Sequence, residues 1–258
     1  MGLLRGGITF FLGIVLLITL ILGNLFLTIN LSLSYENVKE KIVPFIENES
    51  QEGIGLNLKI EKEYSIASSG CQTNSDYSFS YGGHNFDIPC DIVKKGSNAT
   101  LDYGVSQIVY QVYYQDYSCG FFECLKKGQY FSMVSKQSKD YWKGKFILFL
   151  FISLAITGIM FFFVENKISL LEITGFLLII SSLPFMKISN LLSFLDSSIL
   201  KFIPLLFSES YKVFLITFIL GVLLVLANFA IRFFSFGNSI MNMFSKNKKT
   251  VKSKKEED

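Results

Sequence analysis

The sequence predicts a membrane protein: four transmembrane α-helices, with a small disulfide-stabilised α+β extracytoplasmic domain inserted between helices 1 and 2. Three observations predict it. Apolar residues gather in four runs of about 20 residues, the length that crosses a hydrocarbon core roughly 30 Å thick. Residues 31–145, between the first and second runs, are polar and hold every cysteine, the only histidine and the only tryptophan. Basic residues gather at both chain ends: Arg5 before the first run, and Lys246, Lys248, Lys249, Lys252, Lys254 and Lys255 after the last.

Half of the residues are hydrophobic and the mean hydropathy is +0.43. The apolar residues sit in runs, so membrane spans explain them better than a large soluble core. Only helices or closed barrels satisfy their backbone groups inside lipid, and these runs are too long and too continuously apolar for barrel strands. The net charge of +3 is small and its basic excess is mostly terminal. No aromatic pattern interleaves the lysines, so nucleic acid is not an expected partner.

Residues 1–30 form a cytoplasmic N-terminus and a signal anchor. Its apolar core, Ile8 to Ile29, is too long for a cleaved leader, and Asn-Leu-Ser follows it instead of a small-x-small site. Residues 146–234 carry the other three helices. The second run is Phe146 to Val164, preceded by Tyr141, Trp142, Lys143 and Lys145, an aromatic and basic belt at headgroup level. The third, Ile168 to Phe185, is the weakest, diluted by Glu172, Ser181 and Ser182 and ending near Pro184. The fourth, Val213 to Phe234, closes on Arg232.

Between the last two runs, residues 188–207 read as an amphipathic helix on the outer membrane surface. Ile188, Leu191, Leu192, Leu195, Ile199 and Phe202 fall on one face. Residues 235–258 are a Lys-rich cytoplasmic tail that would touch anionic lipid.

Four crossings place both termini on one side, and both are basic, so both are expected in the cytoplasm of a multi-pass cell-membrane protein. Residues 31–145 are then extracytoplasmic. The glycosylation triplets at Asn48 and Asn98 lie there and the one at Asn30 borders it, and the cysteines lie there too, where an oxidising compartment lets them pair.

Within that domain, Ser34 is a suitable N-cap for a helix bearing Val38, Ile42, Phe45 and Ile46, interrupted at Pro44. Leu56, Leu58 and Ile60 alternate with polar residues as a strand. Tyr77, Phe79 and Tyr81, then Phe86 and Ile88, alternate about Gly82-Gly83 as a β-hairpin. From Asn98 to Tyr117 the period becomes helical, with Leu101, Val105, Ile108, Val109 and Val112 on one face and Gly120 as the stop. Gln129 to Trp142 reads as helix running into the second span. A domain of about 110 residues buries a limited core and gains from crosslinks.

Cys71, Cys90, Cys119 and Cys124 allow three pairings. The local one, Cys71–Cys90 across the hairpin and Cys119–Cys124 as a clasp, is preferred over the crossed alternatives. Residues five apart in an intact helix are too distant for a bridge, so the clasp requires the helix to have stopped. Zinc fits poorly, with no C-x₂-C pair and one histidine.

No catalytic constellation stands out. His84, in Gly-Gly-His-Asn, lacks a nucleophile motif, and Asp87, Asp91 and Asp102 lack calcium-loop spacing. No catalytic, cofactor or metal residue is therefore assigned. Glu172, Asn228 and Arg232 lie near helix ends, where a Glu172–Arg232 contact between neighbouring helices is one arrangement. Asn24 lies deeper and suits an interhelical hydrogen bond. Tyr110, Tyr113, Tyr114 and Tyr117 crowd one helix, as a partner-binding surface does and as a half-buried helix near headgroups also does.

The expected function is a non-enzymatic, membrane-anchored module. Its outer domain would bind a protein partner in the envelope or a membrane complex, and lipid would be its other partner. The alternative is an accessory subunit of a transporter or channel; an enzyme with a cryptic outer site is the third reading. A tyrosine-lined groove would favour the first, a polar cavity reaching Glu172 the second, and a carboxylate beside His84 the third.

Overall fold

The structure is a computed structural model that describes residues 2–41, 64–72, 75–81, 84–127, 130–164, 166–188 and 203–254. In chain order its helices are α1 (Gly2–Ser32), α2 (residues 35–41), α3 (residues 64–70), α4 (Cys90–Val93), α5 (Ser97–Tyr114), α6 (Phe121–Lys126), α7 (Lys136–Phe163), α8 (Lys167–Ser182), α9 (Ile203–Leu206) and α10 (Ser210–Lys254). Strands β1 (Asp76–Tyr81) and β2 (His84–Pro89) lie between α3 and α4, and short 3-10 segments cover Tyr130–Val134 and Leu183–Met186. The expected strand at Leu56–Ile60, the helical residues after 41, the hairpin tip at 82–83 and nearly all of the amphipathic segment lie outside the described residues.

The chain divides into two compact units, one of Met1–Leu27, Lys145–Leu191 and Ser210–Asp258, the other of Thr28–Gly144 and Leu192–Glu209. The first is helical. Four stretches are long and apolar enough to cross a membrane: Arg5–Ser32, Lys136–Phe163, Lys167–Met186 and Pro204–Phe233. They match the four apolar runs of the sequence, including the weak third. Their outward faces carry bare aromatic rings, with Phe162 at 81% exposure, as lipid-facing helices do and water-facing ones rarely do.

Inside this unit, Leu16, Ile156, Met160, Val164 and Leu170 form a buried apolar cluster. Helix α8 starts at Asn166, whose side chain accepts from the Ile168 N–H, a standard satisfaction of an orphan donor. It stops where Pro184 enters a 3-10 turn. Helices α8 and α10 approach closely at two glycines. A Cβ on Gly175 would sit 2.8 Å from the Gly221 carbonyl oxygen and 2.8 Å from Val225 Cγ2. A Cβ on Gly221 would sit 2.8 Å from the Gly175 carbonyl oxygen and 2.8 Å from Ile179 Cγ1. Glycine is what lets the two backbones touch, the usual device where lipid removes the hydrophobic drive between helices.

The second unit is the α+β part. β1 and β2 pair antiparallel, with Tyr77 opposite Ile88 and Tyr81 opposite His84. Ile88 then buries with Ala67, Cys71, Cys90 and Val93, and Tyr64, Tyr77 and Tyr103 pack around them. Gly96, at φ 113°, makes the turn from α4 into α5. A side chain there would be strained, so the glycine is required by backbone geometry.

Two expected boundaries are corrected. Helix α5 ends at Tyr114, not at Gly120, because Gln115 goes extended. Its buried stripe of Val105, Val109 and Tyr113 would next fall on Tyr117, but the chain has already left the helix at Gln115. The Tyr117 hydroxyl turns back and donates to the Val112 carbonyl at 3.2 Å, which satisfies an orphan acceptor of the last turn. Of the helix expected over Gln129–Trp142, Gln129 lies outside the described residues and Tyr130–Val134 is a 3-10 segment. Ser135 restarts it, its hydroxyl accepting from the Ser138 N–H at 3.2 Å as an N-cap. From Lys136 the helix runs unbroken to Phe163.

Candidate functional site

Helix α5 sets the tyrosines. Its residues Thr100, Gly104, Val105, Val109 and Tyr113 face inward. Tyr113 is 3% exposed, and its hydroxyl donates to the Leu33 carbonyl at 2.9 Å. Burial, with Tyr114 and Asp140 adding to it, pushes its pKa up to about 12. Tyr35, at the start of α2, supplies the ring around which the others gather. Its centroid lies 5.8 Å from Tyr110, 5.4 Å from Tyr113 and 5.8 Å from Tyr114. Tyr110 and Tyr114 are 4.7 Å apart, and the Lys136 amine sits over the Tyr114 ring at 5.7 Å. Burial raises the Tyr35 pKa, and Glu36 raises it further.

The four expected tyrosines thus take different places. Tyr110 and Tyr114 are 50% and 46% exposed and present their rings outward. Tyr113 and Tyr117 point back into the fold, and burial raises the pKa of Tyr117 as well. Aromatic pairs at these separations contribute about 0.5–1.5 kcal/mol each beyond burial, so the outward rings are held before any partner arrives.

Beside them is a cavity of about 400 Å³. Tyr35, Tyr103 and Tyr110 form its aromatic wall, and Ile92 and Ala99 add apolar surface. Lys39, Asp102, Ser106 and Gln107 bring both charges, a hydroxyl and an amide. The Gln107 side-chain N–H donates to the Tyr103 hydroxyl at 3.1 Å, which fixes that ring. Such a site suits noncovalent recognition of a peptide-sized group by rings and a few polar contacts. Tyr35 and Tyr103 were not singled out in the sequence. Tyr103 had a legible signal, lying one helical turn from Gln107 and two from Tyr110. Tyr35 had none, because only the fold carries it to α5.

No family model, curated protein or solved structure matches this chain. The geometry must therefore carry the functional reading.

The cysteines pair as Cys71–Cys90 and Cys119–Cys124, with Cα separations of 5.4 and 5.3 Å. The first joins the residues after α3 to the end of the hairpin. The second links the bend before α6 to α6 itself, as the early end of α5 permits. The Gln137 amide donates to the Cys119 carbonyl at 3.0 Å, and Phe121 stacks on Tyr141 at 5.5 Å and meets Trp142 edge-on at 5.1 Å. Among the described residues, no group of three or more His, Cys, Asp and Glu is placed to hold a metal ion. His84 opens β2, and its side-chain surroundings lie outside what is described.

The helical unit brings polar residues from different helices together. Arg232 donates to Glu172 Oε2 at 2.8 Å and to Ser169 Oγ at 3.2 Å, and the fully buried Asn228 donates to the same Glu172 oxygen at 3.0 Å. The Glu172–Arg232 contact is therefore present. Farther along the bundle, Asn24 Nδ2 lies 3.3 Å from the Ser181 carbonyl oxygen, and the Thr217 hydroxyl donates to Asn24 Oδ1 at 3.0 Å. One buried amide ties α1 to α8 and α10. Interhelical bonds of this kind contribute about 0.6–2 kcal/mol each.

The hydroxyl of Tyr113 gives a pH test. Its folded pKa is raised, so its contribution to stability is complete below pH 10 and is lost as the pH climbs from 10 toward 12. Phenolate absorbance of the folded chain should show a tyrosine ionising near pH 12, and Tyr113→Phe should remove that step and soften alkaline unfolding. An unchanged titration in the variant would reject the assignment.

Proposed function

We propose that this chain is a multi-pass membrane module whose extracytoplasmic domain, residues 31–145, binds a protein partner in the envelope or within a membrane complex. Both termini lie in the cytoplasm and residues 1–30 act as an uncleaved signal anchor. The module works by binding and not by catalysis. The observation that carries this reading is the paired exposure of Tyr110 and Tyr114. Both are half exposed, both are held by Tyr35, and Tyr110 also lines a cavity of about 400 Å³. Rigid aromatic surface beside a polar-edged cavity is what binding hot spots are made of.

The test keeps the full chain in its native membrane, with a photo-crosslinking residue in place of Ser106 on the cavity wall. A discrete crosslinked protein is expected. Tyr110→Ala with Tyr114→Ala should weaken its capture by on the order of thirtyfold, the effect of losing about 2 kcal/mol at a hot spot. A crosslink pattern identical in the double variant would sink the reading. Orientation is tested separately by impermeant thiol reagents on intact cells. Cysteines that label only after reduction place the domain outside, and labelling that requires permeabilised cells would reverse the orientation.

The alternative, an accessory subunit of a transporter or channel, draws on the polar groups inside the bundle. Glu172 is engaged by Arg232 and Asn228, which suits helix packing better than ion passage.

A further inference from the structure

A groove of about 820 Å³ runs between α1 and α8. One end is polar, with Arg5, Asn166 and Ser169; the other is apolar, closing on Leu17 and Leu177. Among the described residues, Arg5 is the only charged residue lining it, and no carboxylate pairs with its guanidinium. From Arg5 to Leu17 the helix rises about 18 Å, which matches one leaflet of a hydrocarbon core roughly 30 Å thick plus part of its headgroup layer. The α1 wall is cut back at Gly6 and Gly13, where an added Cβ would meet nothing within 4 Å. The N-terminal end of α8, a 16-residue helix, opens at the same polar mouth and adds the positive end of its dipole.

We infer that this groove holds an acyl chain of an anionic glycerophospholipid, with the lipid phosphate at Arg5 and the chain running down toward Leu17 and Leu177. Charge complementarity selects the headgroup and depth selects the chain. A soluble anion would use the mouth and leave the apolar length empty. A zwitterionic lipid would fill the length but gain less at Arg5, since one basic side chain near a membrane surface contributes about 1 kcal/mol toward anionic lipid. The inference rests on α1 and α8 spanning a bilayer and is independent of the tyrosine surface.

The experiment uses the full chain in phosphatidylcholine vesicles carrying a trace of photoactivatable phosphatidylglycerol, or an equal trace of photoactivatable phosphatidylcholine, with the reactive group at the chain terminus. The glycerol lipid should label several-fold more, with adducts near Leu17 and Leu177. Arg5→Gln should cut its labelling about fivefold, to the phosphatidylcholine level, and Arg5→Lys should retain the preference. Gly13→Leu adds bulk to the groove at a position where a Cβ meets nothing within 4 Å, and should abolish labelling by both lipids.

Equal labelling by the two lipids in the unaltered chain, or labelling that survives Gly13→Leu, would overturn the proposal. Flotation separates the two levels of failure. A chain that does not float with vesicles removes the membrane reading and the groove with it; one that floats without lipid preference removes the groove alone. If Gly13→Leu does not integrate, the Arg5 pair still decides.

Discussion

Gly175→Val is expected to separate α8 from α10 and lower the melting temperature of the full chain in a defined micelle more than any other single change in the bundle. The reason is geometric. At that crossing a Cβ would come within 2.8 Å of a carbonyl oxygen on the opposing backbone, closer than real Cβ contacts allow. Backbone cannot rotate away as a side chain can, so the pair must slide or part. Overpacking of this kind costs about 1–3 kcal/mol even in soluble cores, where neighbours are free to yield. The Glu172 cluster and the Ser181 and Thr217 bonds to Asn24 lie on the same helices, so a shift there breaks them too. Gly158→Ala in α7 is the control, because its Cβ meets nothing within 4 Å. It should be neutral or slightly stabilising, by about 0.5–1 kcal/mol. Equal losses in both variants, or none in Gly175→Val, would show that the close crossing does not matter.

Removing Cys71 and Cys90 together is expected to cost the α+β domain more than removing Cys119 and Cys124. The first bridge closes 19 residues and the second closes 5. Loop-closure entropy then gives about 3 kcal/mol for the longer loop and about 2 for the shorter. All four cysteines are buried, but Cys71 and Cys90 belong to the apolar cluster with Ala67, Ile88 and Val93, and that packing widens the gap. Serine at both positions would place two hydroxyls in that cluster. The measurement is limited proteolysis of the membrane-embedded chain across a urea series. The Cys71→Ser, Cys90→Ser double variant should be cut at a clearly lower urea concentration than the Cys119→Ser, Cys124→Ser variant. The reverse order would place the domain's stability at α6 instead.

How much of this is legible in the sequence depends on the range of the interaction. The four apolar stretches follow from composition alone, since twenty apolar residues in a row have few other uses. The hairpin followed from period-two alternation about two glycines, and the disulfides follow the preference for local partners. Longer-range features were harder to read. Tyr113 and Tyr114 are adjacent and identical, yet one is buried and the other exposed. A helix turns about 100° between neighbours, and only the position of α2 decides which ring is covered. Gly120 looked like a helix stop, but the stripe had already ended at Tyr113. Gly175 and Gly221 carried a signal that went unread: each is followed four residues later by a β-branched side chain, Ile179 and Val225, and each of these reaches the opposite glycine.

The bond between Thr217 and Asn24 spans 193 residues of chain. Synthesis proceeds from the N-terminus at about 5–20 residues per second, so α1 waits roughly 10–40 s for that donor to be made. Through that interval its amide must be matched by something other than Thr217. The helix that carries Thr217 therefore completes the setting of α1, and the bundle reaches its final register only after α10 has been made.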